Sequence, residues 1–431
     1  MIKGLLSKSL TLFSAVALLS NVLVPAVSAQ EEAELNADLQ YWSSYNETEP
    51  QAQVLQQAGE AFMELNPGVT IEFTFNGRDN STLLPTAVQS GQEIHMYDAN
   101  AVNIVNRFSN TNLDLTSYFE EAYPTTDGTA YIDYTMPAMV DLANQLGEGS
   151  LYYVPMNPQA FVFMYNKAIF EELQLEIPTT WDEFLEVSQA IKDAGYTPLT
   201  TDPNYSTGIF GYYLQRLKGQ DWVYELVNDT TYEMWSDPAV LEAAQAIETL
   251  ATNGYYAENV GTVQFPQAQQ EFVLMENIAM YLNGTWMPGE VKDSMSDEFQ
   301  FGQFAFPSVE GGVDDNSYLA YSSYGIGINQ ANTEEETLAA FNFATFVNTT
   351  EQDQAMVSVA QAVPVDPNNE FPESLQDMEG IFENVSGNYV SQTAIATNSD
   401  NSQIIRSAMI NLISGATNAE EFIAEIQNAG Q

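Results

Sequence analysis

Residues 149–181 read as two extended segments separated by a short polar connector and followed by a helix. The first segment covers residues 151–155, and the second, residues 160–165, is an apolar run of the length of a buried strand. Asn157, Pro158 and Gln159 lie between them, and the pattern after the second strand predicts a helix over 167–173. An apolar strand that follows a polar break indicates that the chain enters a new sheet here.

The beginning of the chain predicts a strand, a helix and a second strand. Residues 38–45 read as a first strand that ends at Trp42 and is followed by a loop, and residues 51–65 read as a helix with one apolar face that Asn66-Pro67-Gly68 ends. Residues 69–75 then alternate apolar and polar side chains, which is typical of a strand with one buried face. Strands joined by a crossover helix pair in parallel, so a largely parallel sheet is predicted for this part.

The order of several motifs resembles a known family. The motifs are Trp42 followed by Phe62-x-x-x-Asn66-Pro67-Gly68-Val69-Thr70-Ile71, then Gly149-x-x-Tyr152-x-x-Pro155, Tyr165-Asn166-Lys167-x-x-Phe170 and Pro178-Thr179-Thr180-Trp181-Asp182-Glu183-Phe184. Together they resemble the extracellular solute-binding proteins of ABC transporters, in the carbohydrate-binding branch that includes maltose-binding proteins. The resemblance implies an α/β chain with the two-lobed periplasmic-binding-protein fold, about three crossings between the lobes and a ligand cleft between them.

The resemblance also divides the chain into segments. Residues 1–29 are expected to form a signal peptide, residues 30–151 with 323–364 lobe one, and residues 152–322 with 365–431 lobe two. No internal repeat or low-complexity linker interrupts this division.

The N-terminus has the composition of a secretory signal peptide. Lys3 and Lys8 precede an apolar run over residues 10–24, and Ala26-Val27-Ser28-Ala29 supplies small residues for cleavage. The chain has no cysteine, which excludes disulfides, thiolate metal sites and a lipid anchor on an N-terminal Cys. We therefore expect an exported protein that is periplasmic or extracellular and not lipid-anchored through Cys.

The chain is strongly acidic. It carries 59 acidic against 10 basic residues, and removal of the two lysines of the signal peptide takes the formal net charge from −49 to −51. Such a charge argues against nucleic acid and anionic lipid as partners, because both are polyanions. Salt of about 1 M screens charges beyond about 3 Å, so this composition suggests a halophilic, high-salt setting.

Aromatic residues are the first candidates for a sugar site. A sugar has apolar faces that flat rings can cover and hydroxyl groups that carboxylates, amides and arginine can bind. Trp286 follows a predicted strand in a Gly-containing loop, where the resemblance places a stacking aromatic side chain. The same resemblance turns Trp42, Ser44 and Tyr45 toward the cleft, although the alternation of the strand could equally bury Trp42.

Polar residues at strand ends complete the predicted site. Asp98 and Asn100 follow a short strand predicted at 93–97, and ligands of open α/β sheets bind beyond such strand ends. Arg78 could bind two hydroxyls directly, but we prefer a role in holding Asp79 or Asp98 in place. Two further candidates flank the predicted crossings, Asn157 and Tyr324.

The sequence carries no catalytic or cofactor signature. It has no Gly-x-Ser-x-Gly turn, phosphate-binding loop, Gly-x-Gly-x-x-Gly turn or His-Glu-x-x-His motif, and its one histidine, His95, is predicted to be a buried structural residue. We expect a monomeric, non-enzymatic receptor without metal or cofactor, whose partners are a carbohydrate and an ABC permease. The alternatives are a secreted glycoside hydrolase, which needs two carboxyl groups about 5–9.5 Å apart, and a same-fold receptor for a non-sugar solute.

Overall fold

The computed structural model describes residues 34–126, 128–296, 298–390, 393–396 and 400–429. The predicted signal peptide lies outside these residues. The strands of the described part are β1 (Ala37–Ser43), β2 (Val69–Phe75), β3 (Met96–Asn100), β4 (Val154–Asn166), β5 (Thr197–Thr200), β6 (Ile278–Gly284), β7 (Phe301–Phe304), β8 (Tyr318–Ile328) and β9 (Gly387–Val390).

Helices make up most of the remaining regular structure. They are α1 (Pro50–Leu65), α2 (Asn80–Gln89), α3 (Ala101–Arg107), α4 (Thr116–Phe119), α5 (Tyr131–Tyr134), α6 (Pro137–Leu146), α7 (Lys167–Leu173), α8 (Trp181–Asp193), α9 (Gly208–Lys218), α10 (Gln220–Asn228), α11 (Pro238–Thr252), α12 (Gln267–Leu274), α13 (Met287–Val291), α14 (Glu334–Val347), α15 (Thr350–Ala360), α16 (Asp377–Glu383), α17 (Asp400–Ile413) and α18 (Ala419–Ala429). Within the described ranges, no helix combines the length and the apolar character that a membrane span requires.

Local sequence signals explain where several helices begin. At the start of α8, Thr180 accepts a hydrogen bond from the backbone N–H of Glu183, and the Glu183 carboxylate accepts one from the N–H of Thr180. This pair is a capping box, because it satisfies two backbone N–H groups that have no partner within the first helical turn. Thr333 and Glu336 form the same arrangement at the start of α14.

The strands form one mixed sheet in the order β2-β1-β3-β8-β4-β6-β5, with β7 also paired to β4 and β9 to β8. β1 and β2 pair in parallel from Ala37 with Val69 to Ser43 with Phe75, as predicted. β3 attaches antiparallel to the last residues of β8, whereas β6 and β7 attach to the last residues of β4. The antiparallel pair β4 and β8 therefore connects two groups of strands.

A third connection runs from α15 into residues 361–366. Ala360 and Ala362 pack in the core around β1, β3 and α14, while Val363 and Val365 pack in a separate core with β6. The backbone N–H of Met136 donates to the carbonyl of Val365 at 2.9 Å and holds the end of this segment. A further core fills the space between α8, α9, α11, α17 and α18.

The predicted break between two strands at residues 157–159 is wrong. β4 runs through them as one strand with an irregularity between Met156 and Pro158, where Asn157 takes a left-handed φ of 46°. Asparagine tolerates that conformation better than most residues, so a polar triplet can form a bulge inside a strand. β3 begins at Met96 rather than at residue 93. β7 and β9 are short strands that the sequence pattern did not predict.

Candidate functional site

A cleft of about 880 Å³ lies where the strand ends of the two groups meet the crossing strands. One side of it comes from the segment after β1 and from Arg78 after β2, and the other side comes from residues 285–293 after β6. The lining also includes residues 157–159 and Tyr324 of the crossing strands, Tyr205, Phe265, and residues 359–363 of the third connection. Strand ends that converge on a crevice are the usual place for a ligand in open α/β sheets.

A pair of stacked tyrosines forms the surface near β8. The rings of Tyr45 and Tyr324 are 5.0 Å apart with their planes inclined at 22°. The Asn157 side-chain amide donates to the Tyr45 hydroxyl at 3.0 Å, and burial raises the pKa of both tyrosines. The rings are therefore neutral and fixed in orientation, and because Tyr45 is only 2% exposed, the half-buried Tyr324 is the ring of the pair that can face a ligand.

Arg78 covers the outer face of the Tyr45 ring. Its guanidinium carbon lies 5.5 Å from the ring centroid, while its Nη atoms donate to the Ser44 carbonyl and, at 2.8 Å, to the Glu49 carboxylate. The prediction that Arg78 holds Asp79 or Asp98 in place is therefore wrong. Glu49 takes that place because it immediately precedes α1, beside the loop that Arg78 contacts.

Asp98 lies beneath the segment that follows β1 and is hydrogen-bonded to Ser44 in it. It is fully buried, and its Oδ1 accepts hydrogen bonds from the backbone N–H of Ser44 at 2.8 Å and from the Ser44 hydroxyl at 2.6 Å. Burial raises the pKa of the carboxyl, and the bonds from Ser43 and Ser44 oppose that rise. The arrangement fixes the direction in which the chain leaves β1 and so places Tyr45.

Trp286 and Tyr205 form the aromatic surface on the β6 side. The indole Nε1 of Trp286 donates to the Tyr205 hydroxyl at 3.1 Å, and the indole lies 6.5 Å from the Phe161 ring with an interplanar angle of 14°. The indole folds back over Gly284, where an added Cβ would lie 2.2 Å from it. Gly284 is therefore required for this ring position, and Trp286 stays half-buried beside the cleft.

The ten candidate residues divide into two groups. The structure brings five of them to the cleft lining, namely Tyr45, Arg78, Asn157, Trp286 and Tyr324. The other five, Trp42, Ser44, Asp79, Asp98 and Asn100, are absent from the lining. The Trp42 side chain is 8% exposed and packs in the core around β1, as its strand alternation allowed. Asn100 caps α3 through the N–H of Val102, and Asp79 is exposed outside the cleft.

Several lining residues escaped the sequence analysis. Tyr205 follows β5, Glu49 precedes α1, and Glu290 lies one helical turn after Trp286. The spacing of four residues between Trp286 and Glu290 was a signal for a shared face. Nothing local pointed to residues 359–363, which reach the cleft through the third connection.

One cluster has the composition of a metal site but not its chemistry. His95, Glu93 and Glu336 bring one ligand atom each within 4.8 Å of one another. However, the Gln40 backbone N–H donates to His95 Nδ1 at 2.9 Å, so the neutral ring carries its proton on Nε2. Nε2 faces the two carboxylates at 3.5 and 3.6 Å as a donor and has no lone pair for an ion. His95 is a buried, hydrogen-bonded residue that connects the start of β3 to α14.

The sequence pattern of the bacterial extracellular solute-binding proteins matches residues 46–354. The multiple sugar-binding protein of Streptococcus mutans serotype c is 25% identical over 304 residues, which cover 68% of each chain. Among solved structures, the bacterial solute receptor AcbH superposes with a TM-score of 0.71 at 18% identity, covering 92% of this chain and 97% of the receptor. RafE in complex with raffinose gives 0.65 at 17% identity, covering 91% and 98%.

These structural likenesses establish the fold, which is the two-lobed α/β fold of solute-binding proteins with a cleft between the lobes. The sequence match covers most of the chain and includes Arg78, Asn157, Trp286 and Tyr324 of the cleft lining. The chain therefore belongs to the bacterial extracellular solute-binding protein family.

Proposed function

We propose that this protein is a non-enzymatic receptor that captures a carbohydrate, in particular an oligosaccharide, and delivers it to an ABC permease. The observation that carries the proposal is a cleft with aromatic surfaces on two sides and polar groups between them. Tyr324, backed by the buried Tyr45, forms one surface, and Trp286 with Tyr205 forms the other. Rings of this kind cover the apolar faces of a sugar, while Arg78 and Glu290 can bind its hydroxyls.

The dimensions of the cleft favour more than one sugar unit. Its volume of about 880 Å³ lies near the upper end of the roughly 300–1,000 Å³ of small-molecule sites. Relatives named for sugars, such as the multiple sugar-binding protein of S. mutans and RafE in complex with raffinose, support the same class of ligand.

Capture works through closure of the two lobes. We take residues 30–151 with 323–364 as lobe one and residues 152–322 with 365–431 as lobe two. A ligand that touches both lobes only in the closed form shifts the population toward that form by its difference in affinity. The pair β4 and β8 and residues 361–366 are then the segments that must bend.

The location and setting follow from the same proposal. Residues 1–29 direct export, and the mature protein acts as a monomer in the periplasm or outside the cell, where a permease recognises its closed form. Its charge of −51 after removal of the signal peptide fits a salt-rich medium that screens the repulsion between acidic side chains.

A thermal-shift screen with fate analysis of the sugar tests the proposal. Purified mature protein in molar salt is heated with mono- and oligosaccharides, polyols, glycerol phosphate and short peptides, and each stabilising compound is analysed after incubation. A midpoint raised by an oligosaccharide that is recovered intact supports the receptor, because a ligand that binds only the folded state stabilises it. Cleavage of the sugar would establish the hydrolase instead, and a shift with only non-sugar compounds would establish the alternative receptor.

A further inference from the structure

Glu290 is a carboxylate in the cleft without a counter-ion. It lies in α13, one turn after Trp286, and its side chain lines the cavity. None of the ion pairs among the described residues involves Glu290. The cation that acts on it across the cleft is Arg78, but that guanidinium is already bonded to Glu49 and to the Ser44 carbonyl.

The surroundings of Glu290 favour a role toward a ligand over a role in folding. Burial in the cleft raises the pKa of its carboxyl, as do the carboxylates of Asp202 and Glu49, whereas Gln269 and Arg78 lower it. Gln269 is fully buried behind Glu290, and neither its amide nitrogen nor its oxygen has a well-formed hydrogen bond. Glu290 itself is exposed to the cleft, so its carboxylate exchanges water for a ligand without breaking an ion pair of the fold.

Two consequences follow from the charge. A carboxylate only accepts hydrogen bonds, so it matches the hydroxyl donors of a sugar and forms bonds stronger than neutral ones. The same charge repels a ligand that carries a carboxylate. The charged residues in the cleft lining are Glu49, Glu290 and Asp293 against Arg78 and Lys292, which leaves an excess of negative charge.

We infer that Glu290 accepts hydroxyl hydrogen bonds from the bound sugar beside Trp286 and restricts the cleft to sugars without an acidic group. This inference rests on the proposed function, since it names the charge class of the carbohydrate and the residue that selects it. Glu290 is then a specificity-determining contact that works together with the aromatic surface of Trp286.

Paired titrations with neutral and acidic sugars test the inference. The neutral probes are raffinose, maltotriose and chitotriose, and each is paired with the same sugar carrying one primary alcohol oxidised to a carboxylic acid. Titration calorimetry at pH 7 in molar salt compares the wild type, Glu290→Gln and Glu290→Asp. The matched control is Glu310→Gln, which removes the same charge at an exposed position outside the cleft lining.

We expect Glu290→Gln to bind neutral probes about 10-fold or more weakly, as the loss of a hydrogen bond to a charged group implies. Its preference for the neutral over the oxidised sugar should fall about 10-fold, while Glu290→Asp keeps the preference and Glu310→Gln changes neither quantity. A merely structural role would lower both affinities in proportion.

The outcomes separate the two proposals. If Glu290→Gln binds the neutral sugars with the wild-type affinity, or if the ratio of its affinities for a neutral sugar and the oxidised partner is that of the wild type, the inference is wrong. The proposal that the protein is a carbohydrate receptor is then unaffected. If none of the neutral probes binds the wild type, the carbohydrate proposal fails on this panel and the role of Glu290 fails with it. Glu290→Asp provides the comparison if Glu290→Gln does not fold.

Discussion

The ring of Tyr324 lies on the ring of Tyr45 at 5.0 Å and thereby joins the loop after β1 to a strand that crosses between the two groups of strands. Tyr45 is bonded in turn to Asn157 of the other crossing strand. β8 thus supplies the Tyr324 ring of this surface, and β4 fixes the Tyr45 ring behind it through Asn157. A ligand on this surface would contact a residue of a crossing strand, which is where the proposed closure requires the chain to bend.

Asn157 combines two roles that substitutions can separate. Asn157→Ala and Asn157→Gly both remove the hydrogen bond to the Tyr45 hydroxyl, but only glycine accepts the left-handed φ of 46° without strain. We expect both variants to be less stable than the wild type, and the alanine variant to be about 1 kcal/mol less stable than the glycine variant in urea unfolding. Equal stability of the two variants would show that backbone strain at this bulge is negligible.

Trp286 should contribute to binding through its ring and little through its hydrogen bond. Trp286→Ala removes a half-buried aromatic surface of the cleft, which we expect to weaken an oligosaccharide found in the screen by about 2 kcal/mol, or roughly 30-fold. Trp286→Phe keeps a flat ring and should lose less than half of that free energy. The comparison is made by titration calorimetry.

Trp222→Phe is the control for Trp286. Trp222 is half-exposed on α10, where Lys218 lies 4.7 Å from its ring, and it is outside the cleft lining. We expect this variant to bind the sugar like the wild type. If Trp286→Ala did the same, Trp286 would be a packing residue of the β6 side and the aromatic surface would need to be assigned to other rings.

The acidic composition predicts a strong dependence of stability on salt. At about 0.1 M salt, charges interact over about 10 Å, and at 1 M over about 3 Å, so added salt should relieve the repulsion of the net charge of −49. We expect the thermal midpoint to rise between 0.1 and 1 M NaCl, and equally with KCl. A flat or falling midpoint would contradict a fold adapted to high salt.

The regular elements could be predicted where the signal is local. The apolar stripe of α1 and the alternation of β2 depend only on neighbours in sequence, and the structure confirms the helix and the strand that they predict. β7 and β9 are four residues each, too short to show a period of their own. They exist because they pair with β4 and β8.

The site was predictable only in part, since its contacts join distant segments. Tyr45 and Trp286 were found because they follow strands, which is a local feature that also places them at the cleft. The partner of Arg78 could not be found in this way, because Glu49 and the exposed Asp79 are both plausible carboxylates until the path of the loop is known. Trp42 illustrates the same limit. The alternation of β1 allowed its side chain to face either the cleft or the core, and in the structure it packs in the core.

Asp353 holds the third connection through a buried carboxylate that should make its stability depend on pH. The carboxylate accepts hydrogen bonds from the N–H groups of Val365 and Asp366 at 3.1 Å and from the Asn369 amide at 2.9 Å. Burial is the largest cause that raises its pKa from 3.8 to about 6. Between these values the folded protein holds a proton that the unfolded chain lacks, so the contribution to stability is complete below about pH 3.8 and is lost as the pH rises through 6.

Asp353→Asn removes this ionisation while it keeps a side chain of similar size. We expect the free energy of unfolding of the wild type, relative to Asp353→Asn, to increase by about 2 kcal/mol as the pH falls from 7 to 4, since one pKa unit corresponds to about 1.4 kcal/mol and the effect is complete only below pH 3.8. Other carboxyls titrate over the same range, among them the more exposed Asp114 and Glu336 with lowered pKa, and the difference between the two proteins cancels their effect. Urea unfolding at constant molar salt provides the measurement. A difference that is constant with pH, or that shrinks toward pH 4, would mean that the Asp353 carboxyl is not protonated preferentially in the folded protein, and that its hydrogen bonds to residues 365–369 outweigh its burial.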